Sequence, residues 1–375
     1  MTEAITLQQI LKRFLPTENI DTHRLKVCQQ LQACRTESLG GMRWQCDECG
    51  KEVVRYHSCR NRHCPQCQGR ATHQWAERQQ AQILPVTYFH LVFTLPDSLN
   101  GWISLHPETL YRLLFRAVWQ TLKHFGEDPK RLNGQLGMSA ILHTWGQNLS
   151  RHVHLHCLIP GGALTTQGEW HRSKSNYLFP VKALSRYYRG TMVSLLRDAY
   201  QSHELSRIRD KEEVEQQLNR LMEKEWVVYS KAALNRTETV VSYLARYTHR
   251  IAISNHRIQG IHDGHVMIRY KDYREHGKNR SLSLSGEEFV RRYLMHIVAK
   301  GFMRIRHYGF LANCCRKKRL EQIRQRLHCQ PLASEDSQTR QAAVTCPCPR
   351  CKKGDMILIA EILPTYGNQR LIRRR

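Results

Sequence analysis

Arg151–Gly162 reads RHVHLHCLIPGG, with His152, His154 and His156 alternating with Val153, Leu155 and Cys157. Alternation with period two marks a half-buried β-strand, so three imidazoles leave one face while the apolar set packs on a core behind them. Imidazole is the commonest metal ligand, and residues two apart on a strand are neighbours, so the stretch points to a metal more than to a solvated face. A neutral imidazole pair that leaves several positions open suits Mg²⁺ or Mn²⁺ with substrate phosphate oxygens, whereas a closed zinc cage wants more protein ligands. Met138–Gln147 is predicted as the paired strand. Its end brings Gln147 toward His154, and a glutamine oxygen is a plausible third ligand for a hard cation.

Outward from this strand, Val86–Leu95 (VTYFHLVFTL) is rich in β-branched and aromatic residues and stops at Pro96, as a buried strand does. Helical spacing of Leu110, Leu113, Leu114, Ala117, Val118 and Leu122 predicts a core-packing helix over Glu108–Phe125. Helices are also predicted around Ala71–Ile83 and over Ala183–Ala199, Asp210–Lys224 and Glu287–Ala299. Strands are predicted over Ile251–Ile258 and His265–Tyr270, and Glu321–Thr345 reads as a polar linker. In Thr239–Arg250 (TVVSYLARYTHR), Tyr243 and Tyr247 stand four apart, hence one above the other on a helix face. Beside a metal bound to the scissile phosphate, a tyrosine oxygen can attack phosphorus in line and be held as a covalent ester. Arg246, His249 and Arg250 in the same turns would add positive charge.

The chain carries 58 Lys and Arg against 32 Asp and Glu, a net charge of +26, spread along its whole length. So large an excess implies a polyanionic partner, with nucleic acid foremost. The opening MTEAITLQQILKRFLP reads as a short amphipathic helix without a signal-peptide core, and no apolar run approaches a membrane span, so a cytoplasmic location without membrane is expected.

In a reducing compartment the 14 cysteines are expected to be metal ligands or buried thiols. CDEC at Cys46–Cys49 and CPQC at Cys64–Cys67 are two C-x-x-C half-sites at a spacing that suits one tetrahedral zinc. Cys34, Cys59 and one of His57, His63 or Cys28 are candidates for a second site. The basic run Arg55–Arg70, with Arg60 and Arg62, is expected to touch a phosphate backbone. Lys300–Arg319, with Arg304 and Arg306, interleaves cations with Phe302, Tyr308 and Phe310, as where bases stack and phosphates are neutralised. Cys346, Cys348 and Cys351 (CPCPRC) form another metal-like knuckle, for which Cys314, Cys315 or Cys329 could supply the remainder.

Taken together, SCRNRHCPQCQ, VTYFHLVFTLP, HVHLHCLIPGGAL, YLARYTHRIAISNHRI and GFMRIRHYGFLAN resemble, in order, segments of the HUH rolling-circle transposases of bacterial insertion sequences, of the two-tyrosine type with an N-terminal zinc module. The likeness spans nearly the entire chain. HUH names the His-hydrophobic-His pair, here His154, Leu155 and His156, and the paired tyrosines fall on Tyr243 and Tyr247. His152 departs from the pattern as an additional histidine. The resemblance implies an α+β fold, an antiparallel sheet with flanking helices displaying the histidine pair on a central strand, plus a small N-terminal zinc-binding module. It implies Mg²⁺- or Mn²⁺-dependent nicking and rejoining of single-stranded DNA through a 5′-phosphotyrosine that frees a 3′-OH. Implied partners are single-stranded and hairpin DNA at transposon ends, target DNA and, since the chain has no helicase-type phosphate loop, a host helicase. The expected organisation is a zinc-binding, DNA-contacting module over 1–78, the nuclease over 79–330, and a basic tail with a knuckle over 331–375. Two other readings carry the same residues: a non-catalytic zinc-dependent nucleic-acid-binding regulator, and a rolling-circle plasmid replication initiator.

Overall fold

The computed structural model describes residues 5–68, 82–173, 177–234, 252–272, 275–329 and 346–365. The helix expected around Ala71–Ile83 and the tyrosine segment, with Tyr243, Arg246, Tyr247 and Arg250, fall largely or wholly outside them. The chain divides into two compact units: residues 1–71, 251–297 and 333–375, and residues 72–250 with 298–332. The expected division ran 1–78, 79–330 and 331–375. The difference is that 251–297 and the last segment belong with the N-terminal module.

The second unit is built on a five-stranded antiparallel sheet in the order Ile305–Gly309, Gly137–Trp145, Arg151–Pro160, Tyr88–Thr94, Val228–Leu234. The histidine strand is therefore central. Its odd-numbered residues Val153, Leu155, Cys157 and Ile159 join Phe89, Leu91, Phe93, Met138, Ala140 and Leu142 on one face. Over that face lie the helices Pro107–Glu127 and Val181–Gln201, whose leucines, valines and aromatics complete the main core. Removing this much apolar surface from water is the main stabilisation of the unit.

Half of the opposite face is also covered. Tyr88, Ile141 and Leu158 pack with Ile83, Leu84, Phe310 and with Leu320 and Ile323 of the helix Arg316–Arg326. Its second half, residues 321–326, occupies the start of the stretch expected as linker; its two buried apolar residues, three apart, are what hold it to the sheet. Among the described residues, the remainder of the face carries the histidines.

In the first unit, helix Leu7–Phe14 opens with a capping box between Thr6 and Gln9, and helix Thr22–Ala33 is capped by Asp21. Helix Gly286–Leu294 packs on the first of these. It ends before the expected Ala299, because tight turns carry His296 N–H to Tyr293 O and Ile297 N–H to Leu294 O. The strand expected over Ile251–Ile258 starts only at Ile258, since Asn255–Arg257 is a short 3-10 turn. It forms a three-stranded meander with His265–Asp272 and Lys278–Ser285. A further three-stranded sheet places Gly41–Cys46 between Glu52–Tyr56 and Met356–Ile362. Among the described residues no helix is long and apolar enough to cross a membrane.

Candidate functional site

Strand pairing assembles an imidazole cluster that the linear pattern only half reveals. His154 and His156 lie two apart on the central strand, and His143 stands directly opposite His154 on the neighbouring one. One ring nitrogen from each of His143, His154 and His156 lies within 4.8 Å of the others. Ring centroids are 4.5 Å apart for His143–His156, 4.9 Å for His154–His156 and 5.4 Å for His143–His154. His143 is 2% exposed and stacks on Trp145 at 4.7 Å, so its ring is held on one side by an aromatic plane. His154 and His156 are half-buried.

The outer nitrogens of the pair are engaged. The Nδ1 of His154 is 2.9 Å from the carbonyl oxygen of His152; an oxygen accepts only, so Nδ1 carries the hydrogen and Nε2 keeps its lone pair. The Nδ1 of His156 is 2.9 Å from Nε2 of His90, on the opposite neighbouring strand. With His156 donating, its own Nε2 likewise keeps its lone pair. Burial, and next the Lys231 ammonium, push His90 down to about 4, so at neutral pH it is uncharged and can accept. Hydrogen bonds that fix the tautomer and orientation of an imidazole are the usual outer support of a metal site.

Sequence reading missed His143 and His90. Each sits as a lone histidine in an apolar strand, and only sheet register carries them to the pair. His152, the departure from the family pattern, contributes a carbonyl to His154 and a ring 4.9 Å away, and is not part of the three-nitrogen group. Gln147 lies in the tight turn joining the two strands, closed by Gly146 N–H to Ser150 O.

The cysteines fall into two quartets, neither of them the expected pairing of Cys46 and Cys49 with Cys64 and Cys67. Cys34, Cys59, Cys64 and Cys67 form one. The Cys64–Cys67 knuckle meets the end of the helix Thr22–Ala33 and the loop after Glu52–Tyr56. Sulfur separations of 3.6–3.7 Å match the edge, about 3.8 Å, of a tetrahedron with Zn–S near 2.3 Å. Hydrogen bonding, from the Cys59 and Cys34 thiols respectively, lowers Cys34 and Cys67, while the same contacts raise Cys59; one metal would replace those shared protons. Cys46 and Cys49 stand with Cys348 and Cys351. His57 and Cys346 belong to neither quartet, and Cys314, Cys315 and Cys329 do not complete the knuckle. Cys28 is a buried core thiol, pushed up to about 12 by burial and then by Asp21.

Of the arginines expected to meet DNA, Arg60 is exposed and Arg62 partly buried. Arg306 sits over the Phe115 and Phe302 rings at 4.3 and 5.3 Å. Arg304 is corrected: at 7% exposure it is buried, beside the sheet edge where its carbonyl accepts from Leu142 N–H.

A strongly basic chain with an imidazole cluster on one sheet face and a four-cysteine module is a metal-binding protein suited to a polyanion. Comparison with known proteins narrows that class. Residues 137–319 match a family described as putative transposase, and residues 6–95 match the transposase zinc-binding domain. The chain is 38% identical over 358 residues to the putative transposase y4qJ of Sinorhizobium fredii, covering 91% of this chain and 90% of that one. It is 29% identical over 321 residues to the transposase for insertion sequence element IS801 of Pseudomonas savastanoi pv. phaseolicola, covering 82% and 75%. No solved structure matches. The chain belongs to the insertion-sequence transposases that carry this N-terminal zinc-binding domain.

Proposed function

We propose that this transposase nicks and rejoins single-stranded DNA at the ends of an insertion sequence through a 5′-phosphotyrosine, driving rolling-circle transposition. The observation that carries this reading is the convergence of His143, His154 and His156 on one face of the sheet, in a chain of this family. One ring nitrogen from each would hold a divalent cation, Mg²⁺ or Mn²⁺, with Gln147 as a further candidate ligand. When bound, the cation withdraws charge from the scissile phosphate. Tyr243 or Tyr247 supplies the nucleophile. Its oxygen forms the bond to phosphorus, its proton passes to solvent, and the bond to the 3′ oxygen breaks, that oxygen leaving as a 3′-OH after taking up a proton. A tyrosine with an ordinary pKa of about 10 needs positive charge nearby, which Arg246, His249 and Arg250 supply. Two tyrosines allow a second strand to be captured before the first is released. Hairpin DNA at the ends, target DNA and a host helicase complete the expected partners, and the protein acts in the bacterial cytoplasm at the nucleoid.

The test is incubation of labelled single-stranded DNA carrying the element's ends with the protein and Mn²⁺ or Mg²⁺, followed by denaturing electrophoresis. A labelled protein band that vanishes in the Tyr243→Phe, Tyr247→Phe double variant is the expected result. Intact binding without any adduct would instead favour a non-catalytic DNA-binding role.

A further inference from the structure

We propose that Cys46, Cys49, Cys348 and Cys351 form a second zinc site, a zinc ribbon whose two halves lie on segments about 300 residues apart in the chain. The matched zinc-binding domain ends at residue 95, so it contains only half of these donors. The inference does not depend on the catalytic reading above.

Both halves have the form of a metal knuckle. In Cys46–Cys49, the backbone N–H of Cys49 points at the Cys46 sulfur at 3.5 Å, and the following Gly50 has φ +66°. In Cys348–Cys351, the N–H of Arg350 points at the Cys348 sulfur at 3.4 Å, and the following Lys352 has φ +59°. A lysine in the left-handed region is uncommon, and here it repeats the conformation of the glycine at the equivalent place. Backbone donors aimed at sulfur favour the thiolate, the form that ligates metal.

The knuckles meet face to face. Cys46 and Cys351 sulfurs are 3.7 Å apart, as are Cys49 and Cys348, again the edge of a zinc tetrahedron and far beyond a disulfide bond. Asp47 Oδ1 accepts from Asp355 N–H at 2.8 Å, and Asp47 N–H donates to Asp355 O. Gly354 lies so close to Asp47 and Glu48 that a Cβ there would collide with both. Beyond the knuckles, Met356–Ile362 runs antiparallel to Gly41–Cys46, which carries Glu52–Tyr56 on its other edge. Three strands with two thiolate knuckles are the parts of a zinc ribbon.

The apolar support is small: Cys46, Cys348 and Met356 are the buried residues, with Trp44 and Val53 against them. Ile357, Leu358 and Ile359 remain substantially exposed. So little core cannot by itself hold a strand brought from 300 residues away, and metal coordination supplies what packing does not. The site is complete only once residue 351 has been made, so this zinc can be loaded only after synthesis has passed that residue.

The experiment is metal counting on the full-length protein with alkylation mapped by mass spectrometry. Two zinc ions per chain are expected, with Cys46, Cys49, Cys348 and Cys351 protected from iodoacetamide and Cys314 reactive. The Cys348→Ser, Cys351→Ser variant should hold one zinc and expose Cys46 and Cys49, while Cys34, Cys59, Cys64 and Cys67 stay protected. Cys346→Ser should keep both ions; loss of one would overturn the ligand set. Cobalt(II) loaded into the unmutated chain is an independent reading: two equivalents with tetrathiolate absorption support the site. A single equivalent, with the four cysteines alkylating as free thiols, overturns it.

Discussion

His143 and His154 face each other directly across neighbouring antiparallel strands, their rings 5.4 Å apart and their planes at 79°. Register alone produces this pair. With His156 it turns a two-histidine strand motif into a three-nitrogen group, and predictions follow for each part of its surroundings.

If His143 is a ligand, His143→Ala should abolish nicking as fully as His154→Ala or His156→Ala, and DNA affinity should change by less than about threefold, because phosphate contacts by Lys and Arg supply most of it. Paired cleavage and gel-shift assays check this. Wild-type cleavage by the His143 variant would confine the metal to the central strand. Three imidazole nitrogens are a softer donor set than carboxylates, so Mn²⁺ should support more activity than Mg²⁺ at equal concentration.

His90 meets the three-histidine group through His156, so it is a positioning residue. His90→Phe removes the acceptor of the His156 Nδ1–H while keeping an aromatic ring in the buried slot. Metal affinity should fall about 10–100-fold, with cleavage restored at high Mn²⁺. A metal titration in which the variant matches wild type would remove His90 from the site.

Cys64→Ser should unfold the module around the first quartet, since removing one thiolate leaves three ligands and the metal supplies much of the folding energy. Reduced zinc content and loss of its protease resistance are the expected readouts. A chelator applied to the unmutated protein should act in the same direction. Zinc content equal to wild type in Cys64→Ser would refute the ligand assignment.

Burial first, and Lys231 and Arg316 next, hold His90 and His307 down to about 4, below the ordinary 6.5. In the unfolded chain each takes up a proton near 6.5, and in the folded chain only near 4. The unfolded state therefore binds more protons between these values, so stability is full above pH 6.5 and is lost as pH falls toward 4. Unfolding free energies from urea titrations across that window should drop by about 1–3 kcal/mol per histidine. His307→Gln, which can still hydrogen-bond Ser139, should flatten its share of the slope. A profile identical to wild type would show that His307 titrates normally.

The strands and helices around the site were legible because their patterns are local. Period-two alternation located Arg151–Pro160, and the leucine spacing located Pro107–Glu127 to within a turn. The helix Arg316–Arg326 was not, since its composition is strongly basic and only Leu320 and Ile323 anchor it. Val228–Leu234 and Met356–Ile362 also went unread, for each is an edge strand defined by its partner more than by its own residues.

By itself the sequence determined the metal-binding character of the chain: which strand bears imidazoles, where the thiolate knuckles lie, and a net charge that demands a polyanion. These are properties of residue type and short spacing. Only the tertiary structure decided which candidate ligands lie together. Spacing favoured Cys46 and Cys49 with Cys64 and Cys67, yet the return of the chain brings Cys348 and Cys351 to the first knuckle, and the end of the helix Thr22–Ala33 and the loop after Glu52–Tyr56 bring Cys34 and Cys59 to the second. The five-stranded sheet likewise brings His143 and His90 to His154 and His156 through two different neighbouring strands. A metal requires donors a few ångströms apart in space, and strand pairing and chain return set those distances independently of separation along the chain.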